Sequence, residues 1–133
     1  MKPVYQTEFG QGKGNCLSAA IASLLEIDIN EVPNFASYGD LFWVKCSEWM
    51  EERNMARAKI DAGGIKPVGY HLMTVVSPRG NFHHALVGLN GEPVHDPYPG
   101  GNCQHMGVAS YFILYPIDPS KPMGKVIAQR KSE

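Results

Sequence analysis

A glycine-spaced loop that runs straight into an apolar segment constrains this chain more than any other feature. Gly10-Gln11-Gly12-Lys13-Gly14-Asn15 leads into Cys16-Leu17-Ser18-Ala19-Ala20-Ile21-Ala22-Ser23-Leu24-Leu25-Glu26. The second part reads as a helix from Cys16 to about Glu26 that is apolar on nearly every face, broken only by Ser18, Ser23 and Glu26. Such a helix has no solvent side and belongs at the centre of a domain. Asn15 has the chemistry of an N-cap, since its side-chain oxygen can accept from an orphan backbone N–H. Cys16 is then the first helical residue, where the positive end of the helix dipole and the free N–H groups favour a thiolate. Two readings fit this stretch: a nucleophile at the mouth of a loop, and a core cysteine that attacks nothing.

At 133 residues the chain is long enough for one hydrophobic core, so a single domain spanning residues 1 to 133 is expected. A net charge of −1 gives no basic face for nucleic acid or anionic lipid. No apolar run reaches membrane-spanning length. Met1 to Gln6 lacks the apolar core of a signal peptide, and three cysteines fit free thiols better than a disulfide framework. The expected compartment is therefore the cytoplasm.

Past the central helix, Asp28 and Glu31 stand at capping-box spacing over a short turn ended by Pro33. A helix from Asp40 to about Arg53 follows, with Leu41, Phe42, Val44, Lys45, Trp49 and Met50 at near-helical spacing and Cys46 as a structural residue within it. After Asn54 the pattern turns to strands: Ala56 to Ile60, Tyr70 to Ser77, Phe82 to Leu89, Glu92 to His95 and Tyr111 to Ile117. The polar, proline-interrupted stretch from about 119 to 133 reads as a C-terminal tail with disordered last residues. Helices first and a strand meander afterwards give an α+β fold with an antiparallel sheet.

Nucleophilic cysteine chemistry needs a base within hydrogen-bond reach and a third group to orient that base. Asn90-Gly91 is a strong signal for a two-residue hairpin. With that turn, Leu89 pairs Glu92 and Gly88 pairs Pro93, so Ala85 falls opposite Asp96 and His84 opposite Pro97. A diagonal contact or a one-residue bulge then brings the Asp96 carboxylate to His84. His83 and His84 face opposite sides of the strand, and the spacing does not choose between them. His95, Cys103 and His105, with Cys16 or His83, form a competing zinc reading, but no C-x-x-C or H-E-x-x-H accompanies them. The glycine loop lacks the Gly-Lys-Ser/Thr ending of a phosphate-binding loop. Trp43, Tyr70, His71, His83 and Tyr98 are candidates for lining a cleft, each with packing as the simpler role.

Gly14-Asn15-Cys16 before a buried helix, Leu24-Leu25-Glu26 to Val32-Pro33, Ser77-Pro78-Arg79-Gly80, His84-Ala85-Leu86-Val87 and His95-Asp96-Pro97 occur in this order. From Gln6 to about Pro119 the chain resembles the papain-like cysteine peptidases, closest to small bacterial and phage-encoded members related to the bacteriocin-processing (double-glycine leader) peptidases. The resemblance implies a papain-like fold with the cysteine-bearing helix packed on an antiparallel sheet. It implies Cys16 as nucleophile, His84 rather than His83 as general base and acid, and Asp96 as the orienting carboxylate. It also implies a glutamine amide beside the Cys16 N–H in an oxyanion hole. Gln6 is preferred over Gln11, which sits inside the glycine loop, although the family's usual position six residues before the cysteine holds Gly10. Leu17-Ser18 departs from the glycine or tryptophan common after the cysteine. The expected activity is hydrolysis of a peptide, isopeptide, other amide or thioester bond in a protein or peptide substrate, through an acyl-enzyme and with no cofactor or metal. The alternatives are a catalytically silent binding or inhibitory module, and acyl transfer of transglutaminase type on the same triad.

Overall fold

The computed structural model describes residues 1 to 124; residues 125 to 133, which hold most of the expected tail, lie outside the described residues. Two helices, α1 (Cys16–Leu25) and α2 (Phe42–Glu52), pack on a sheet of five strands: β1 (Met55–Asp61), β2 (Tyr70–Val76), β3 (His83–Leu89), β4 (Glu92–His95) and β5 (Val108–Pro116). The sheet order is β1-β5-β2-β3-β4 and every neighbouring pair is antiparallel, so the fold is α+β as expected.

The burial of α1 follows from its composition. Every residue from Leu17 to Ser23 is buried, including the two serines. Ser18 donates to Pro33 O at 2.6 Å and Ser23 to Ala19 O at 2.8 Å, so neither hydroxyl is orphaned in the core. Leu17, Ile21 and Ala22 pack with Leu72, Ala85 and Val87 of the sheet and with Phe35, Trp49 and Met50. Glu26 ends the helix in the left-handed region (φ 58°), and Ile27 N returns to Ala22 O at 3.0 Å, which satisfies a carbonyl of the last turn. The capping box is present at Asp28 and Glu31, around a single 3₁₀ turn (Ile29–Glu31).

The second helix starts two residues later than its spacing suggested. Residues Phe35–Leu41 form 3₁₀ turns interrupted at Gly39 (φ 57°, ψ −123°), a conformation open to glycine, and only then does α2 begin. Its buried stripe is Cys46, Trp49 and Met50, with Phe42 packed on the same core one turn earlier. Leu41 and Val44, which share the near-helical spacing of Trp49 and Met50, are exposed.

Asn54 holds the end of the described chain. Its side chain accepts from Asp118 N at 2.8 Å and donates to the carbonyls of Asp118, Lys121 and Pro122, while Gly124 N reaches Arg53 O at 2.8 Å. The segment to Gly124 is thus tied to the end of α2. On the face of the sheet away from α1, Met73, Val75, Leu86 and Tyr111 form a second cluster, with Cys103 and Val108 against it.

Candidate active site

The hairpin brings His84 and Asp96 together. Asn90 (φ 55°) and Gly91 (φ 87°) both have positive φ, the pattern of a type I′ turn, and Leu89 pairs Glu92 and Gly88 pairs Pro93 as the turn dictates. The register then slips between Gly88 and Val87, and Val87 faces His95 instead of Val94. Pro93 has no N–H to give to the ladder beside this point, which favours a bulge there. The slip changes which face Asp96 belongs to. In an unbroken ladder Asp96 shares its face with Ala85, whereas one extra residue puts it in step with Leu86 and hence on the side of His84.

Asp96 Oδ1 accepts from His84 Nε2 at 2.7 Å, and both side chains are 3% exposed. The same oxygen accepts from Tyr98 N at 2.9 Å, and Oδ2 accepts from Cys103 N at 3.1 Å. A side chain at Gly101 would collide with Asp96 Oδ2, so glycine lets the loop after β4 close over the carboxylate. Burial alone would raise the Asp96 pKa, but the bond from His84, the Tyr98 N–H, the imidazolium charge and the Cys103 N–H together hold it below the usual carboxylate range. Burial likewise opposes charge on His84. Asp96 and Cys16 outweigh it, as hydrogen-bond partners and as charges, and bring the imidazole up to about 9. Cys16 is therefore close enough to act on the ring. With Nε2 committed to Asp96, Nδ1 is the nitrogen left for Cys16.

Asn15 does not cap α1. Its Oδ1 accepts from Thr7 N at 2.9 Å and Glu8 N at 3.0 Å, and its Nδ2 donates to Thr7 Oγ1 at 3.0 Å. It clamps the incoming arm instead, which leaves the first-turn N–H groups of α1 uncovered by Asn15, beside Cys16.

Gln6 is buried, and its backbone N–H donates to Pro97 O at 2.9 Å, pinning the arm beside Asp96. Its Nε2 donates to Glu8 O at 3.0 Å, while Oε1 is buried without a partner among the described residues. Gln6, exposed Gln11, Cys16 and His84 all line one cavity of about 340 Å³. Gly10, Gly12, Gly14 and Gly39 form part of its wall, with Phe42, Trp43, Phe82, His83 and Tyr98 as the ring-bearing part and Arg79 beside them. Of the residues singled out from sequence as cleft candidates, Trp43, His83 and Tyr98 are there. Tyr70 and His71 are not. His71 is fully buried, donating from Nδ1 to Leu72 O and accepting at Nε2 from Gly91 N, both at 3.0 Å.

The residues of the zinc reading serve other contacts. His95 Nε2 donates to Val4 O at 2.8 Å and His105 Nδ1 accepts from Gly107 N at 3.0 Å. Among the described residues no group of three or more His, Cys, Asp or Glu side chains is arranged to hold a metal ion. No described helix is long and apolar enough to cross a membrane. Sequence reading missed Arg79 as a cavity residue, because Ser77-Pro78-Arg79-Gly80 carries only a turn signal. The fold is thus an α+β domain whose cavity gathers a thiol, an imidazole–carboxylate pair and a buried amide. No family model matches the chain, and no curated protein and no solved structure matches it.

Proposed function

We propose that the chain is a thiol hydrolase of papain-like type, cleaving an amide or thioester bond of a protein or peptide substrate through an acyl-enzyme on Cys16. The observation that carries the reading is the buried His84–Asp96 pair at 2.7 Å, opening onto the same cavity as a cysteine at a helix start. His84 holds one proton on Nε2, toward Asp96, and takes the Cys16 proton on Nδ1, so that the pair rests as imidazolium and thiolate, in keeping with an imidazole raised to about 9. The thiolate attacks the substrate carbonyl carbon, and the carbonyl oxygen becomes an oxyanion within reach of helix-start N–H groups and the free N–H of Gln6 Nε2. Collapse expels the leaving amine or thiol, protonated by His84. Water, deprotonated by the same imidazole, then attacks the acyl-enzyme and releases the acid.

Iodoacetamide alkylation tests the nucleophile without any knowledge of substrate. Cys16 is expected to react below pH 7 far faster than Cys46, whose burial pushes its thiol up to about 11, and faster than Cys103, raised by burial and by Asp96. His84→Ala should abolish that preference. Equal labelling of the three thiols, or indifference to His84→Ala, would overturn the reading.

A further inference from the structure

Arg79 stands apart from the other groups lining the cavity. Among the described residues it is the permanent cation that lines the cavity, and none of the lining residues is a carboxylate. Its guanidinium carbon lies 3.7 Å from the centroid of the Tyr98 ring, and Tyr98 is in turn braced edge-on by Phe9 at 5.6 Å. The turn that carries it is closed by Ser77 N to Phe82 O at 2.9 Å and by Arg79 N to Ser77 Oγ at 3.1 Å. Among the described residues the guanidinium meets no carboxylate within ion-pair range. Stacking on an aromatic face fixes the plane of a guanidinium and leaves its N–H edge free, the geometry that accepts a carboxylate in fork fashion.

We infer that Arg79 selects substrates bearing a carboxylate close to the scissile bond, either a chain terminus or an acidic side chain. Tyr98, Phe82 and Trp43 line the same cavity as exposed Arg79, and among the described residues no carboxylate lines it to compete with that of a substrate. The inference rests on Cys16 being the reactive thiol of the cavity.

Three alkylating probes separate the possibilities. Bromoacetyl-glycine carries a terminal carboxylate, bromoacetyl-glycinamide carries none, and bromoacetyl-aspartic α-amide carries only a side-chain carboxylate. Each reacts by displacement of bromide by the Cys16 thiolate. A carboxylate-bearing probe should label Cys16 roughly tenfold faster than the glycinamide probe at low salt, the scale of a charge-assisted pair. Whichever acid shows the larger advantage identifies the source of the carboxylate. That advantage should vanish in Arg79→Gln, survive in part in Arg79→Lys, and shrink with added salt. If the acid-to-amide ratio is the same in Arg79→Gln as in the native chain, or if neither acid has an advantage, the inference is overturned while Cys16 as nucleophile stands. If Cys16 labels no faster than Cys46 with any probe, the underlying reading fails instead.

Discussion

Gln6 carries the least committed polar group in the site. One N–H of its amide is spent on Glu8 O, and among the described residues the other is free and buried Oε1 has no partner. An unsatisfied buried acceptor costs about 1–3 kcal/mol; an oxyanion does not relieve it, and what Gln6 offers an oxyanion is the second N–H of Nε2. In an oxyanion hole, one donor is typically worth ~10²–10³ in rate. Gln6→Ala is therefore expected to slow turnover of a p-nitrophenyl ester by that factor while Cys16 alkylation keeps its rate, because displacement of iodide forms no oxyanion. Equal slowing of both would make Gln6 a support for the loop only. The glycines around Gln11 are the sequence's ground for preferring Gln6, and both glutamines line the cavity; the bond to Glu8 O has no sequence signal, since it depends on how the arm folds back on Asn15. His84 was chosen over His83 by resemblance alone. The structure separates them by burial, 3% for the His84 side chain against an exposed His83.

At the scale of elements, the β3–β4 hairpin decides whether the site exists. Its turn was legible, because Asn-Gly accepts two successive positive φ values that other pairs resist. The spacing allows either a diagonal contact or a one-residue bulge between Asp96 and His84, and the bulge at Val87 is the one formed, a choice that rests on how Pro93 and the loop over Asp96 settle together. A similar limit applies ahead of α2, where the 3₁₀ turns of Phe35–Leu41 carry no periodicity of their own and the helix starts at Phe42, not Asp40. The hairpin is locked from behind by His71, whose ring lies over Gly88 and holds Gly91 N. A Cβ at Gly88 would collide with the His71 ring and lie 2.8 Å from Met73 Sδ. Overpacking of that kind costs about 1–3 kcal/mol. Gly88→Ala should lower the urea midpoint accordingly and also disturb the Asp96–His84 pair, seen as slower alkylation of Cys16. A midpoint equal to that of the native chain would mean that His71 is not a rigid backstop.

For the whole molecule, two buried histidines of opposite preference set how stability follows pH. Burial holds His71 below its ordinary 6.5, against a smaller opposing effect of its bond to Leu72 O, and its Nε2 must stay unprotonated to accept from Gly91 N. The unfolded chain therefore binds this proton more readily, and stability falls as pH drops below the ordinary histidine value. His84 is raised to about 9, so the folded chain binds its proton more readily. That contribution is complete below pH 6.5 and is lost as pH rises from there to about 9. Cys46 adds to the alkaline side, since burial keeps its thiol neutral to about 11 while the unfolded thiol ionises earlier. Asp96, held low by its partners, matters only in stronger acid, where its protonation removes the pair. Together these groups place the maximum of stability close to the ordinary histidine pKa. Thermal midpoints by circular dichroism between about pH 4 and pH 10 should trace that dome. His84→Gln should flatten its descent between about pH 6.5 and pH 9 and leave the acid side sloping, because the acid loss belongs to His71. An alkaline limb that survives this substitution unchanged would show that His84 is not held in its charged form by Asp96 and Cys16.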